Sequence, residues 1–227
     1  MAIAATNLAT ATNAADQSSY ATASITPTAN RLVLALVNHR TSTGSPNTPT
    51  ASGNSLTWVN IGTTNYNGSN RRLTLFRALG SAPSAGSITF DFASQTQTSA
   101  GWSVVEFSGV DTSGTNGSGA VVQTVADEII GNTALTVTLA AFASANNATY
   151  GGFASGDGAL TATAGSGFTI VAQTNGGDIS TASEFKSTND TGVDITWSAS
   201  NDIGGIAVEI KAASGTNPRR MLLGVGT

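Results

Sequence analysis

The chain has 227 residues, a formal net charge of −4, an isoelectric point near 4.7, 10% charged and 40% hydrophobic residues, and no cysteine. These values exclude a disulfide framework and thiolate metal sites. They also speak against nucleic acid as a partner, because its phosphates need clustered Lys and Arg.

Residues 1–17 read as a polar, alanine-rich lead-in with neither the basic n-region nor the apolar h-region of a secretory signal. No apolar run reaches the roughly 18 residues that a membrane-spanning helix needs, so no membrane partner is expected. The 26 glycines, set among abundant Ser, Thr, Ala and Asn, predict short strands joined by turns rather than helices. Strand structure is expected over residues 18–213. Tyr20 to Ile25 alternates weakly, and Arg31-Leu-Val-Leu-Ala-Leu-Val37 predicts a central strand buried on both faces. Thr41 to Gly53, with Pro46 and Pro49, predicts an exposed loop. Further strands are expected at 56–61, 72–79, 87–92 and 102–110, separated by turn-rich segments. Asp111 to Gly119 is then a Gly/Ser/Thr stretch that divides the chain into two halves.

The second half repeats the first. Residues 29–34 match 145–150, 56–59 match 168–171, 76–77 match 185–186, 88–90 match 195–197, and 105–107 match 208–210, always in the same order. In the last of these pairs Glu106 and Glu209 each stand between apolar neighbours. The period of two therefore turns Val105, Phe107, Val208 and Ile210 toward a core and turns Glu106, Glu209 and Trp102 the other way. The half-repeats run about 18–111 and 133–211. Two small sandwiches in tandem and one larger sandwich built from both halves each satisfy this pattern. Gly151 and Gly152 weaken the first strands of the second half and favour the single sandwich. The fold class expected is all-β, an antiparallel jelly-roll-like sandwich with an internal duplication.

Signals for chemistry are sparse. His39 is the sole histidine, which rules out a multi-histidine metal site and a catalytic triad with a spare base. No nucleophile elbow, phosphate loop or dinucleotide fingerprint is present. Glu106 and Glu209 form the one carboxylate pair that glycoside hydrolysis could use, with Trp102 as a sugar platform. Solvent-facing carboxylates paired with Lys211 or an arginine are the commoner arrangement, so no catalytic residue is assigned. Asp157, Asp178, Asp190, Asp194 and Asp202 fall in or near loops and are calcium candidates, but they lack the alternating spacing of an EF-hand loop, so no cofactor is expected. Trp58 and Trp197 read as core. Trp102 and the loop residue Tyr66 are the candidate ligand contacts.

Residues 214–227 form a tail, since Gly215 and Pro218 stop the last strand. Arg219 and Arg220 precede the apolar triplet Met221, Leu222 and Leu223, which is expected to dock on a neighbouring subunit by adding to a sheet edge or filling an apolar groove. Folding back onto its own sandwich is the alternative.

The segments Leu56-Thr-Trp-Val59, Arg71-Arg-Leu-Thr-Leu-Phe-Arg77, Ile88-Thr-Phe90 and Trp102-Ser-Val-Val-Glu-Phe-Ser-Gly-Val-Asp111 resemble uncharacterised lectin-like or jelly-roll β-sandwich modules of phage structural proteins and bacterial surface proteins. Ala164-Gly-Ser-Gly-Phe-Thr169 and Gly205-Ile-Ala-Val-Glu-Ile-Lys211 continue the likeness, which covers roughly residues 18–212. Its motifs are structural and carry no catalytic signature. The resemblance implies attachment or assembly, and the signal-free start favours the phage setting. The expectation is a non-enzymatic bacteriophage virion protein, a capsid decoration or other surface component. It would be assembled in the host cytoplasm and would contact other virion proteins or copies of itself. The alternative is a carbohydrate-binding module of a tail-fibre or cell-surface protein that meets a host-surface glycan.

Overall fold

The computed structural model describes residues 2–214, and all regular secondary structure among them is strand. The first half contains β1 (Ala4–Asn13), β2 (Ser19–Ala21), β3 (Leu32–Arg40), β4 (Thr50–Ser52), β5 (Val59–Tyr66), β6 (Arg71–Ala78), β7 (Thr89–Asp91) and β8 (Ser99–Ser108). These form a five-stranded sheet in the order β1-β8-β3-β6-β5 and a three-stranded sheet in the order β2-β7-β4. All of the pairings are antiparallel.

The second half contains β9 (Val121–Thr138), β10 (Ala148–Ser155), β11 (Ala162–Ala164), β12 (Thr169–Gly176), β13 (Ile179–Lys186) and β14 (Gly192–Ile210). The strands β9 and β14 are long because each serves two layers. Their ladder runs from Ile203↔Ile129 to Ile210↔Val121, breaks register around Asn201, and resumes from Thr196↔Ala134 to Gly192↔Thr138. Beyond the break β11 joins the far side of β14. Dividing both strands at the break gives the second half the eight-strand connectivity of the first, with β14 and β10 in the places of β8 and β3. Each half is a jelly roll.

Strand alternation supplies three cores. Leu32, Leu34, Leu36, Leu75, Val105 and Phe107 of the first large sheet meet Tyr150, Ile206, Val208 and Ile210 of the second in a middle core. On the other face of the first sheet, Val33, Ala35, Val37, Phe76 and Val104 lie beneath Tyr20, Ile88, Phe90 and Phe92 of the small sheet and its flanks. The second half repeats this arrangement, with Phe153, Ala182 and Ala207 beneath Leu135, Val137, Val193, Ile195 and Trp197. The result is four layers with the two large sheets back to back. The edge strand β1 lies against β12, and β5 lies against β9. Because β9 takes the place of β1 and β12 that of β5, an approximate two-fold axis relates the halves.

Several sequence expectations change. The lead-in 1–17 holds β1, whose Ala, Thr and Asn residues carry little strand signal but pair with β8 from Ala4↔Ser108 to Asn13↔Ala100. The halves therefore begin at Ala4 and Val121 rather than at 18 and 133. Single and tandem sandwiches turn out to be compatible, since each half has a core of its own and both share the middle one. Gly152 is not a weak point: a Cβ there would stand 2.8 Å from Leu36 Cδ1, so its bareness admits a leucine from the other half. The repeat alignment also shifts locally. Leu34 and Tyr150 stand opposite Val105 and Val208, as expected, but also opposite Arg77 and Phe185. The match of 76–77 with 185–186 is thus one residue out. Val59 and Thr169 stand opposite the same two residues, which puts 56–59 and 168–171 two residues out.

Candidate functional site

The residues that sequence singled out are turned inward. Trp102 is 4% exposed and sits 6.4 Å from Phe90 between the large and small sheets of the first half, so it offers no platform to a ligand. The small sheet is what covers it, and strands of three residues give too little pattern to announce that layer. Tyr66, expected in a loop, ends β5 in the middle core at 1% exposure and donates its hydroxyl to Asn38 Oδ1 at 2.5 Å. Burial pushes that hydroxyl's pKa well above its usual value. Neither residue is available for contact with a glycan.

The two glutamates do face away from the middle core, as their alternation predicts, but they do not reach solvent. Glu106, 2% exposed, accepts from Arg31 Nη1 at 2.8 Å and from the Thr28 amide at 2.5 Å. Glu209, 1% exposed, accepts from Asn147 Nδ2 at 2.5 Å and Gln123 Nε2 at 2.6 Å. Arg31 and Asn147 hold the same place before β3 and β10, so each glutamate pins the chain entering the neighbouring strand. The sequence echo is structural. Because the carboxylates lie on opposite outer faces with both large sheets between them, they cannot flank one glycosidic bond.

The loop aspartates are dispersed. Asp157 and Asp202 accept turn amides from Ala159 and Gly131, Asp178 pairs with Arg40, and Asp190 holds Lys186 at 2.6 Å. Among the described residues no three His, Asp or Glu side chains converge to hold a metal. His39, at the end of β3, is buried with its ring 4.4 Å from Phe92 and its Nδ1 2.9 Å from Gln97 Oε1. Burial lowers its pKa to about 3.

One buried acid gave no signal in the sequence. Glu184 on β13 is 0% exposed; its Oε2 accepts the Gly165 amide at 3.0 Å and its Oε1 has no partner. Burial, with Asp194 and Asp190 nearby, raises its pKa to about 8. In the ladder Glu184 takes the place of Phe76, so an acid occupies a position that is apolar in the other half.

Among the described residues a concave surface lies elsewhere, at the end of the second half where β14 finishes. A groove of about 510 Å³ runs between Val121 and Val122, Ser144, Asn146 and Asn147, and Lys211 to Ser214. A second hollow of about 360 Å³ adjoins it across Asn146, Ala212 and Ala213. Asn147 screens Glu209 from the groove, and Lys211 pairs with Asp111 at 2.7 Å, which holds that carboxyl down at about 2. Small apolar walls and amide groups suit an extended peptide better than acid–base work. The expected subunit-contact residues Arg219, Arg220, Met221, Leu222 and Leu223 lie outside the described residues.

Comparison with family models, curated proteins and solved structures returned no match to this chain.

Proposed function

We propose that the chain is a non-enzymatic structural protein of a bacteriophage virion, a capsid decoration or other surface component that acts through protein–protein contacts. One observation carries this reading: the side chains on which catalysis or glycan binding would rest, Glu106, Glu209, Trp102 and Tyr66, are all consumed by packing. Among the described residues, small-sheet faces, sheet edges, turns and the groove beside Ser214 face outward. A body of this kind offers contact surfaces rather than a reaction site. The resemblance of its strand motifs to phage structural modules supplies the setting. The test is to purify particles from lysates of the source culture, label them with an antibody against the chain and image them by electron microscopy. Regularly decorated particles are expected. Particles that lack the chain, while it stays in the soluble fraction, would overturn the proposal.

A further inference from the structure

Three asparagines are followed directly by glycine, at positions 67, 116 and 175. An Asn-Gly pair can lose its side-chain amide without an enzyme, because glycine has no Cβ to shield its backbone nitrogen from the neighbouring Cγ. The glycine nitrogen gives its proton to water and bonds to Cγ, the Cγ–Nδ2 bond breaks, and the side-chain nitrogen takes up a proton and leaves as ammonia. The succinimide that results adds water at either carbonyl and opens to aspartate or isoaspartate. Closing that ring requires a backbone free to rearrange, so the fold decides which pair reacts.

Two of the pairs are held in place. Asn175 and Gly176 lie in the β12–β13 ladder opposite Ser180 and Ile179, and the Asn175 carbonyl accepts Thr12 Oγ1 at 3.3 Å. Gly117 is buried, with a Cβ there standing 3.0 Å from Leu32 Cδ1, and the Asn116 carbonyl accepts Arg77 Nε at 3.3 Å. The third pair lies in the turn from β5 to β6. Asn67, Gly68 and Ser69 have φ of 53°, 65° and 65°, three successive left-handed residues in a region that only glycine adopts freely. Inside the ladder pair Tyr66↔Arg71 this turn is closed by one long backbone bond, Asn70 N to Asn67 O at 3.4 Å. Among the described residues the Gly68 amide has no acceptor, and a Cβ on Gly68 would meet nothing within 4 Å.

The Asn67 side chain also touches the second half. Its Nδ2 lies 3.4 Å from Asn201 Oδ1, at the register break of β14, and a Cβ on Gly156 would collide with it. We propose that Asn67 is the Asn-Gly site at which the folded chain deamidates, and that its product loosens the contact between the halves there. Aspartate offers no N–H to Asn201, and it adds a negative charge where the next residues after Gly156 and Asn201 are already the acids Asp157 and Asp202. The Arg71 guanidinium in this corner is already bonded to the Asp178 carbonyl and Asn70 Oδ1. Isoaspartate also inserts a methylene into the backbone before Gly68, which displaces the turn from its seat.

The test is peptide mapping by mass spectrometry of the unaltered full chain, incubated near neutral pH both folded in buffer and unfolded in guanidinium. Folded, Asn67 should deamidate about tenfold faster than Asn116 or Asn175. In guanidinium the three should react at comparable rates, because each is followed by glycine. A rate at Asn67 no higher than at the other two in the folded chain would overturn the proposal. An equal lead for Asn67 in guanidinium would also overturn it, by taking the choice away from the fold. The loosening is read in the full chain carrying Asn67→Asp, which should unfold at a lower urea concentration than the unaltered chain and than Asn175→Asp, the same charge change at an exposed position. A midpoint equal to that of either would overturn the proposed effect on the contact.

Discussion

Glu184 and His39 are buried ionisable groups whose neutral forms the fold prefers, and they set opposite limbs of the stability profile. Burial raises the Glu184 carboxyl to about 8 in the folded chain, against 4.5 for an exposed one. Folding is therefore unpenalised by this group below about 4.5, loses stability as pH rises toward 8, and bears the whole cost above that. Replacing it with Gln should flatten the alkaline limb and raise stability at pH 9 by on the order of a few kcal/mol. Urea unfolding of both proteins from pH 5 to 9 reads this directly, and an unchanged slope would show that the carboxyl is solvated. His39, lowered from 6.5 to about 3, works the other way: stability from this residue is intact above about 6.5 and is lost as pH falls toward 3. The acid limb should thus survive in Glu184→Gln. In the middle core, Val105→Ala in β8 and Val208→Ala in β14 should each cost about 1–3 kcal/mol in chemical denaturation, since both are 0% exposed. The period of two made these valines legible as core. It also turned Glu106, Glu209 and Trp102 to the correct face, but alternation does not say whether a second layer covers that face.

At the scale of elements, legibility followed length and apolar content. The strand Leu32–Arg40, buried along nearly all its length, was readable from its run of aliphatic residues. Among the three-residue strands, β7 falls within the strand expected at 87–92 and β2 gave only weak alternation, whereas β4 and β11 were not readable, because one pleat of alternation is indistinguishable from a loop. The polar strand β1 was missed because its pairing rests on backbone bonds to β8 rather than on side chains. Glycine misled most directly. Gly152 reads as a weakness in a strand, yet it is the socket for Leu36 across the middle core. Gly152→Val should destabilise by about 1–3 kcal/mol through overpacking. Adding Leu36→Ala, itself costly, should recover part of that loss. A double-mutant cycle with strictly additive terms would show that the two large sheets do not meet there.

The whole molecule is a duplication whose repeat is visible in sequence at β8 and β14 and only approximate elsewhere, because loops of unequal length and register breaks in β5 and β12 displaced the alignment. The joining of the halves was legible in part: the single sandwich was favoured, and Val105, Phe107, Val208 and Ile210 read as core and do meet in the middle core. The polar contacts between the large sheets, such as Ser103 with Ser183 at 2.8 Å and Asn38 Nδ2 with Thr181 Oγ1 at 3.2 Å, were not legible, because no pattern within one strand encodes them. That joining is what makes the two jelly rolls a single structural body, and tryptophan placement allows it to be measured. Trp58 and Trp102 report on the first half and Trp197 on the second. Equilibrium urea unfolding is followed by fluorescence in Trp197→Phe and in the double variant Trp58→Phe, Trp102→Phe, each also followed by circular dichroism. The account predicts that within each variant the fluorescence and dichroism transitions coincide, because neither half unfolds without exposing the shared core. A tryptophan transition separated from the dichroism change, with one half melting while the other stays folded, would contradict it.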